Sequence, residues 1–442
     1  MFTRDSALLA GLTEPHRIWQ GIPGIEITGA GRQYACWYTG GTGEEVGNAA
    51  LLCRIGEDGA CALIAAALPE PGHRCFDPCL WIDPIGRLWF VWARQPDDAF
   101  FAVICDDPDA DEPVFSEERL IGRNIMLNKP TVLSSGEWLF PAAVWKTADE
   151  PADLPHLAYA LATADQGETF VLRGGVDVPD RSFDEHMFLE RRDSSLAVYV
   201  RTFYGIGMAD SIDGGFHWSE ARDSGFPGPS SRFFIRRLPD GRVLLINHLP
   251  DADGKIARSR LAAQLSEDDG LTFPYTLMLD ERANVSYPDA AIAPDGSILV
   301  IYDRERGGEQ HSFAEAAQNA REILVARITT DDIIAGEITS PGSYLRRVIS
   351  RLGDYEGDPA PLYEQSRRNW AAVCAKQYAK VGAPDAVLTR VFEKEHYSID
   401  EPSGVDSARV NALCEAYRRD PATETLFELI MLIRDGKRSE QA

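Results

Sequence analysis

Residues 211–218 read SIDGGFHW, and two close relatives lie elsewhere in the chain: TADQGETF at 163–170 and SEDDGLTF at 266–273. All three obey one rule, Ser/Thr-x-Asp-x-Gly-x-(His/Thr)-aromatic. A fourth copy, IGEDGACA at 55–62, is badly worn. The residue types describe a turn. The aspartate accepts backbone N–H groups, the glycine takes a positive φ, and the closing aromatic packs against neighbouring chain. The motif marks a fold and is not a site of chemistry.

Around these turns runs a longer repeat: a short apolar strand, a tight Gly or Ser turn, then a second strand rich in aromatic and branched residues. Its copies begin at residues 22, 77, 129, 185, 231 and 287, at intervals of 55, 52, 56, 46 and 56. A unit of that length holds four strands and their loops, which is one propeller blade. Strand–turn–strand runs without helical periodicity make the region all-β. Six blades account for residues 15–345 within a first domain at 1–345. The Asp-containing octapeptides follow the second strand of their units, where a blade needs its third hairpin. Beyond 345 the texture changes. PLYEQSRRNWAAVCAKQYAKV and SARVNALCEAYRRD carry apolar residues at three- and four-residue spacing, so 346–442 is expected to be a helical extension that packs on the propeller or mediates homo-oligomer assembly.

Bulk properties exclude several functions. The 442 residues are 44% apolar and 10% aromatic, as in a packed globular protein. No apolar run approaches about 18 residues, so a membrane span is not expected. The N-terminal MFTRDSALLAGLTEPHR makes a poor secretory signal, and a cytoplasmic location is the expectation. Eight cysteines form no CxxC pair, Cys75 and Cys79 being the nearest spacing, so reduced thiols are expected and neither a metal nor a cofactor. A formal charge of −25 argues against nucleic acid. An anion-binding pocket on such a chain must be a local exception built from arginines.

Inner strands of a propeller converge on its axis, so the residues at their leading ends line one pocket. Those ends carry Arg74, Asp77, Lys129, Asp184, Glu185, Arg232, Tyr287 and Asp289. Converging guanidinium groups suit a carboxylate or sulfate.

A propeller of six blades with repeated Ser-x-Asp-x-Gly-x-Thr-Trp-like turns resembles the sialidase (neuraminidase) superfamily. The resemblance covers residues 17–345 and sharpens in three segments. DEHMFLERRDSSLAVYVRT places Glu185 and Arg201 where the family has a glutamate and an arginine on the fourth blade. ARSRLAAQLSEDDG offers the fifth-blade arginine as Arg258, with Arg260 as alternate. NVSYPDAAIAPDGSILVIYD places Tyr287 in the position of the catalytic tyrosine. The resemblance implies that Tyr287 attacks the anomeric carbon while Glu185 takes its proton. A free phenol, with a pKa near 10, needs such a partner. Sialidases are the tyrosine exception among glycosidases that otherwise use two carboxylates.

The chain departs from the family in two places. Where sialidases open the first blade with Arg-Ile-Pro, this sequence reads Gly21-Ile22-Pro23. Arg74 is then the expected third carboxylate ligand beside Arg201 and Arg258, with Arg17 and Arg232 as further candidates. The loop TGGTGEEVGN lacks the family's aspartate and offers Glu44 or Glu45 as general acid, Glu44 at the better spacing. His186 is expected as pocket wall or packed strand residue, and Trp81, Trp89 and Trp92 as interblade core or a sugar platform. In IYDRER, Asp303, Arg304 and Arg306 are expected to pair with one another on a rim or to border the pocket.

The expectation is an exo-acting glycoside hydrolase for a terminal acidic sugar such as sialic acid, using Tyr287, Glu185 and Glu44, with Arg201, Arg258, Arg74, Arg232 and Asp289 binding substrate. A uronic, sulfated or neutral sugar, or a carbohydrate-binding propeller without turnover, are the competing expectations.

Overall fold

The computed structural model describes residues 1–126, 128–145, 154–181, 183–306, 320–353, 355–358, 360–379, 382–398 and 404–441. The chain divides into two compact units, Met1–Gly357 and Asp358–Ala442.

The first unit is a six-bladed β-propeller of antiparallel sheets. Their innermost strands are Gln20–Ile27, Arg74–Ile82, the split pair Ile125–Met126 and Thr131–Val132, His186–Glu190, Phe234–Arg237 and Val285–Ile292. They begin close to the positions read from the repeat. The N-terminal Phe2–Thr3 adds a fifth strand to the outer edge of blade one. The outer strand of blade six, Tyr344–Arg351, runs across the boundary expected at 345/346. That strand covers Glu322–Ile328 and contributes Ile349 to the core, so the propeller extends past it.

Packing between blades is aromatic. Trp81 meets Trp138 edge-on at 4.9 Å, and Trp89 and Trp92 are fully buried. All three tryptophans are core, not a sugar platform.

The octapeptides join the third strand of blades three, four and five to the fourth, and their geometry repeats. In each, the Ser or Thr hydroxyl accepts from the glycine N–H at 2.9 Å (Thr163, Ser211, Ser266). The aspartate accepts the N–H four residues on at 2.8–2.9 Å. Gly167, Gly215 and Gly270 have φ of 88°, 88° and 83°. Hydrogen bonds from Thr169 and Thr272 hold Asp165 and Asp268 down to about 2. The turn reading of SIDGGFHW therefore holds.

The second unit carries helices Ala360–Ala379, Pro384–Lys394, Ser407–Arg419 and Thr423–Gln441 around its own core of Val387, Val410, Leu426 and Ile430. Asp406 caps the third by accepting from Ala408 N and Arg409 N, and Pro384 opens the second. No helix among the described residues is long and apolar enough to cross a membrane.

Candidate active site

Three inner strands share one local device. In blades one, two and six the pairing skips at Ile22-Pro23, Asp77-Pro78 and Tyr287-Pro288, each a bulge of extra chain against the partner strand. Ile22, Asp77 and Tyr287 have φ of 58°, 44° and 54°. Residues before proline favour extended backbone, so a left-handed conformation there is strained. Bulges re-aim side chains. Asp303 binds two of them together: Oδ2 accepts from Ile22 N at 2.7 Å and Oδ1 from Ser286 Oγ at 2.7 Å. Its role is structural.

Glu185 and Arg201 face each other across the first hairpin of blade four, where Arg201 N donates to Glu185 O at 2.9 Å. The Arg201 side chain joins three groups. Nη1 donates to the Tyr287 hydroxyl at 3.2 Å and lies 2.9 Å from Glu185 Oε2, and Nε donates to Ser230 Oγ at 3.1 Å. Burial alone favours loss of the Arg201 proton, yet Glu185 and Tyr287 outweigh it and hold the group charged. Tyr287 is pushed above the usual phenol value by burial and by Glu185, against the pull of Arg201, Arg258 and Arg306. It stays protonated at neutral pH.

Three more guanidinium groups crowd the Tyr287 ring, with carbons 4.8 Å (Arg306), 5.2 Å (Arg232) and 5.3 Å (Arg258) from its centre. Arg258 Nη2 donates to Ser230 O at 3.0 Å, so one serine braces both Arg201 and Arg258. Arg260 turns away to Pro250 O. Arg232 donates to Pro23 O at 2.9 Å, clamping blade five to the bulge of blade one.

Arg306 resolves the departure at Gly21. A Cβ on Gly21 would lie 2.2 Å from Arg306 Cδ and 2.6 Å from Cγ. The space a first-blade side chain would take is filled by the stem of an arginine from blade six. Arg306 is 2% exposed, bonds Glu44 Oε1 at 2.5 Å and lies 3.8 Å from Asp303. Of the IYDRER cluster, Arg304 pairs with Glu322 at 3.3 Å as a structural ion pair, but Arg306 belongs to the site.

Other expected residues lie elsewhere. Arg74 spends its guanidinium on Gln95, at 2.6 and 2.9 Å, and stacks on Phe76 at 4.2 Å, so it is not the third member of the cluster. Arg17 donates to Gln20 Oε1 at 3.0 Å. Asp289 accepts from Ile25 N at 2.9 Å and lies 3.3 Å from Lys129. Lys129, fully buried, also reaches Glu26 at 2.6 Å and Ile25 O. Asp289 and Lys129 thus tie inner strands together along the axis. Asp184 pairs with Arg181. His186 is wedged between the carbonyls of Asp184 and Tyr159. Glu45 accepts from Thr42 N at 2.7 Å and holds its own loop, leaving Glu44 to face the cluster. No metal-binding cluster occurs among the described residues.

The fold is that of a sialidase-like propeller. The chain belongs to the BNR repeat-like domain family, which matches residues 62–300, more than half its length. A protein of unknown function from Dyadobacter fermentans is 18% identical with a TM-score of 0.51, over 67% of this chain and 93% of its own. The intramolecular trans-sialidase of Ruminococcus gnavus, in complex with oseltamivir carboxylate, is 12% identical with a TM-score of 0.51, over 73% and 96%. The leech intramolecular trans-sialidase, complexed with 2,7-anhydro-Neu5Ac, is 12% identical with a TM-score of 0.52, over 73% and 70%. These likenesses are of fold. No curated protein matches the chain.

Proposed function

We propose that the chain is an exo-acting glycosidase for a terminal sugar bearing a carboxylate, of the sialic acid class. The observation that carries this reading is the set of four guanidinium groups around Tyr287, one of which bridges it to Glu185. On a chain of charge −25 such a cluster is a local inversion, and it suits a planar carboxylate. Arg201, Arg258 and Arg306 hold that carboxylate, and Arg306 restores the cation missing at Gly21.

The Tyr287 oxygen bonds to the anomeric carbon as the glycosidic C–O bond breaks. The phenol proton passes to Glu185, and the departing oxygen takes a proton from a carboxyl of the first or second blade. Water then attacks the anomeric carbon and gives its proton to that carboxyl, while Tyr287 leaves and recovers its own proton from Glu185. Two displacements at one carbon retain configuration. A neutral phenol avoids the repulsion that a carboxylate nucleophile meets beside an anionic sugar.

The test is hydrolysis of aryl glycosides of sialic acid, uronic, sulfated and neutral sugars by the wild type and Tyr287→Phe. Cleavage of the carboxylate-bearing sugar by the wild type, with at least a ~10³-fold loss in the variant, is expected when a nucleophile and its transition-state contacts are removed together. Full activity of Tyr287→Phe refutes the nucleophile. Saturable binding without any product refutes turnover.

A further inference from the structure

Under the glycosidase reading, Glu44 is the sequence's choice of proton donor. Its Oε1, however, lies 2.5 Å from Arg306 Nη1. A guanidinium has donors only, so the Glu44 oxygen facing it is an acceptor. A carboxylate held in this way is poorly suited to hand over a proton.

A second carboxyl stands in the same pocket. Asp77 occupies the bulge of blade two that corresponds to the bulge carrying Tyr287 in blade six, with Ile22 at the same point of blade one. The inner strand of blade one touches those of both blades six and two, so the phenol and this carboxyl flank Ile22 around the axis. Asp77 is 5% exposed, and its Oδ1 has no hydrogen-bond partner among the described residues. For an aspartate at φ 44° before a proline, such an arrangement does not serve stability.

We infer that Asp77, and not Glu44, is the catalytic acid that protonates the departing glycosidic oxygen and then takes a proton from the incoming water. This rests on the glycosidase reading above. The groups facing Asp77 are Glu44 and Tyr38 from blade one, Arg74 from its own strand, Glu185 from blade four and Arg232 from blade five. Burial, then the charges of Glu44 and Glu185, push its carboxyl up to about 7, against Arg232 and Arg74. It is therefore protonated, and able to donate, below that pH. Glu44 acts through its bond to Arg306, as a positioning residue for the arginine cluster.

The experiment compares Asp77→Asn and Glu44→Gln on two glycosides of one carboxylate-bearing sugar, with a dinitrophenyl and with an alkyl leaving group. A dinitrophenolate departs without a proton, whereas an alkoxide needs one. Because kcat/KM covers only the steps through glycosylation, Asp77→Asn is expected to lose ~10²–10⁴-fold in kcat/KM on the alkyl glycoside and to stay within about threefold in kcat/KM on the dinitrophenyl one, whose kcat falls through the slowed attack of water. The fall of wild-type kcat/KM on the alkyl glycoside as pH rises through about 7 is expected to vanish in Asp77→Asn and to persist in Glu44→Gln. Glu44→Gln is expected to raise KM on both substrates alike. Equal losses of Asp77→Asn in kcat/KM on both substrates with unchanged thermal unfolding assign Asp77 to sugar binding and overturn the inference. A leaving-group-dependent loss in Glu44→Gln instead overturns it as well. A wild type inert on both substrates overturns the reaction itself, an outcome distinct from either.

Discussion

Gly21→Ala probes the exchange of arginines between blades one and six. Gly21 is not among the residues with positive φ, so its backbone accepts alanine. The obstacle is steric. The new methyl carbon would lie 2.2 Å from Arg306 Cδ, 2.6 Å from Cγ and 3.0 Å from Asp303 Oδ2. Non-bonded carbons rest at about 3.5–4.0 Å, so the stem of Arg306 must retreat by more than about 1 Å. These are mid-chain atoms of a buried side chain whose head is bonded to Glu44 at 2.5 Å, and retreat drags the guanidinium off that contact. Overpacking of this kind costs about 1–3 kcal/mol in stability. Loss of one charged contact to a bound carboxylate costs about 1.5–3 kcal/mol, or ~10–100-fold in affinity. Denaturant midpoints and calorimetric titration with an acidic monosaccharide read the two effects. If the clash is the cause, Gly21→Ala combined with Arg306→Ala is less destabilised than the sum of the single variants, by about 0.5–3 kcal/mol. Wild-type affinity in Gly21→Ala, or additive single effects, would refute the claim that Arg306 fills the place of a first-blade side chain.

Lys129→Met leaves Glu26 and Asp289 buried without their shared cation, and a loss of about 3–5 kcal/mol in unfolding free energy is expected by chemical denaturation, with the arginine cluster still binding anions. Arg201→Lys keeps a charge but cannot reach Ser230, Tyr287 and Glu185 together, so kcat/KM on an acidic glycoside should fall at least ~10-fold per lost contact. Asp165 and Asp268 titrate at about 2 in the folded chain and at about 4 when unfolded. Their contribution is thus present above pH ~4 and disappears as pH falls towards ~2. The double variant Asp165→Asn/Asp268→Asn should show a flatter stability curve across that interval in acid-unfolding fluorescence, and an unchanged slope would count against the turn hydrogen bonds as its source.

The candidate site was legible in parts. Glu185, Arg201, Arg258 and Tyr287 could be placed because each sits at a fixed point of a repeated unit, and strand pairing then leaves little choice: Glu185 opposite Arg201 follows from the register of one hairpin. Arg74 also heads an inner strand, but Gln95 directly across the hairpin claims its guanidinium, a competition that spacing along one strand does not display. In the sequence Arg306 stands out only as part of the IYDRER cluster. Its signal was the glycine at 21, which makes sense only once blades one and six are side by side. In the sequence Asp77 stands only as one of the residues heading the inner strands. Nothing local marks it as an unpaired acid, because its surroundings come from four blades.

Local chemistry determined the architecture. Turn-forming octapeptides and strand–turn–strand repeats of about fifty residues act over a few neighbours, so their meaning survives in one dimension. Which cation faces which carboxyl was decided by closure of the ring, which brings residue 21 against residue 306 and residue 77 near residue 185. Charges act through space and fall off with distance, so their partners exist only after the blades have met.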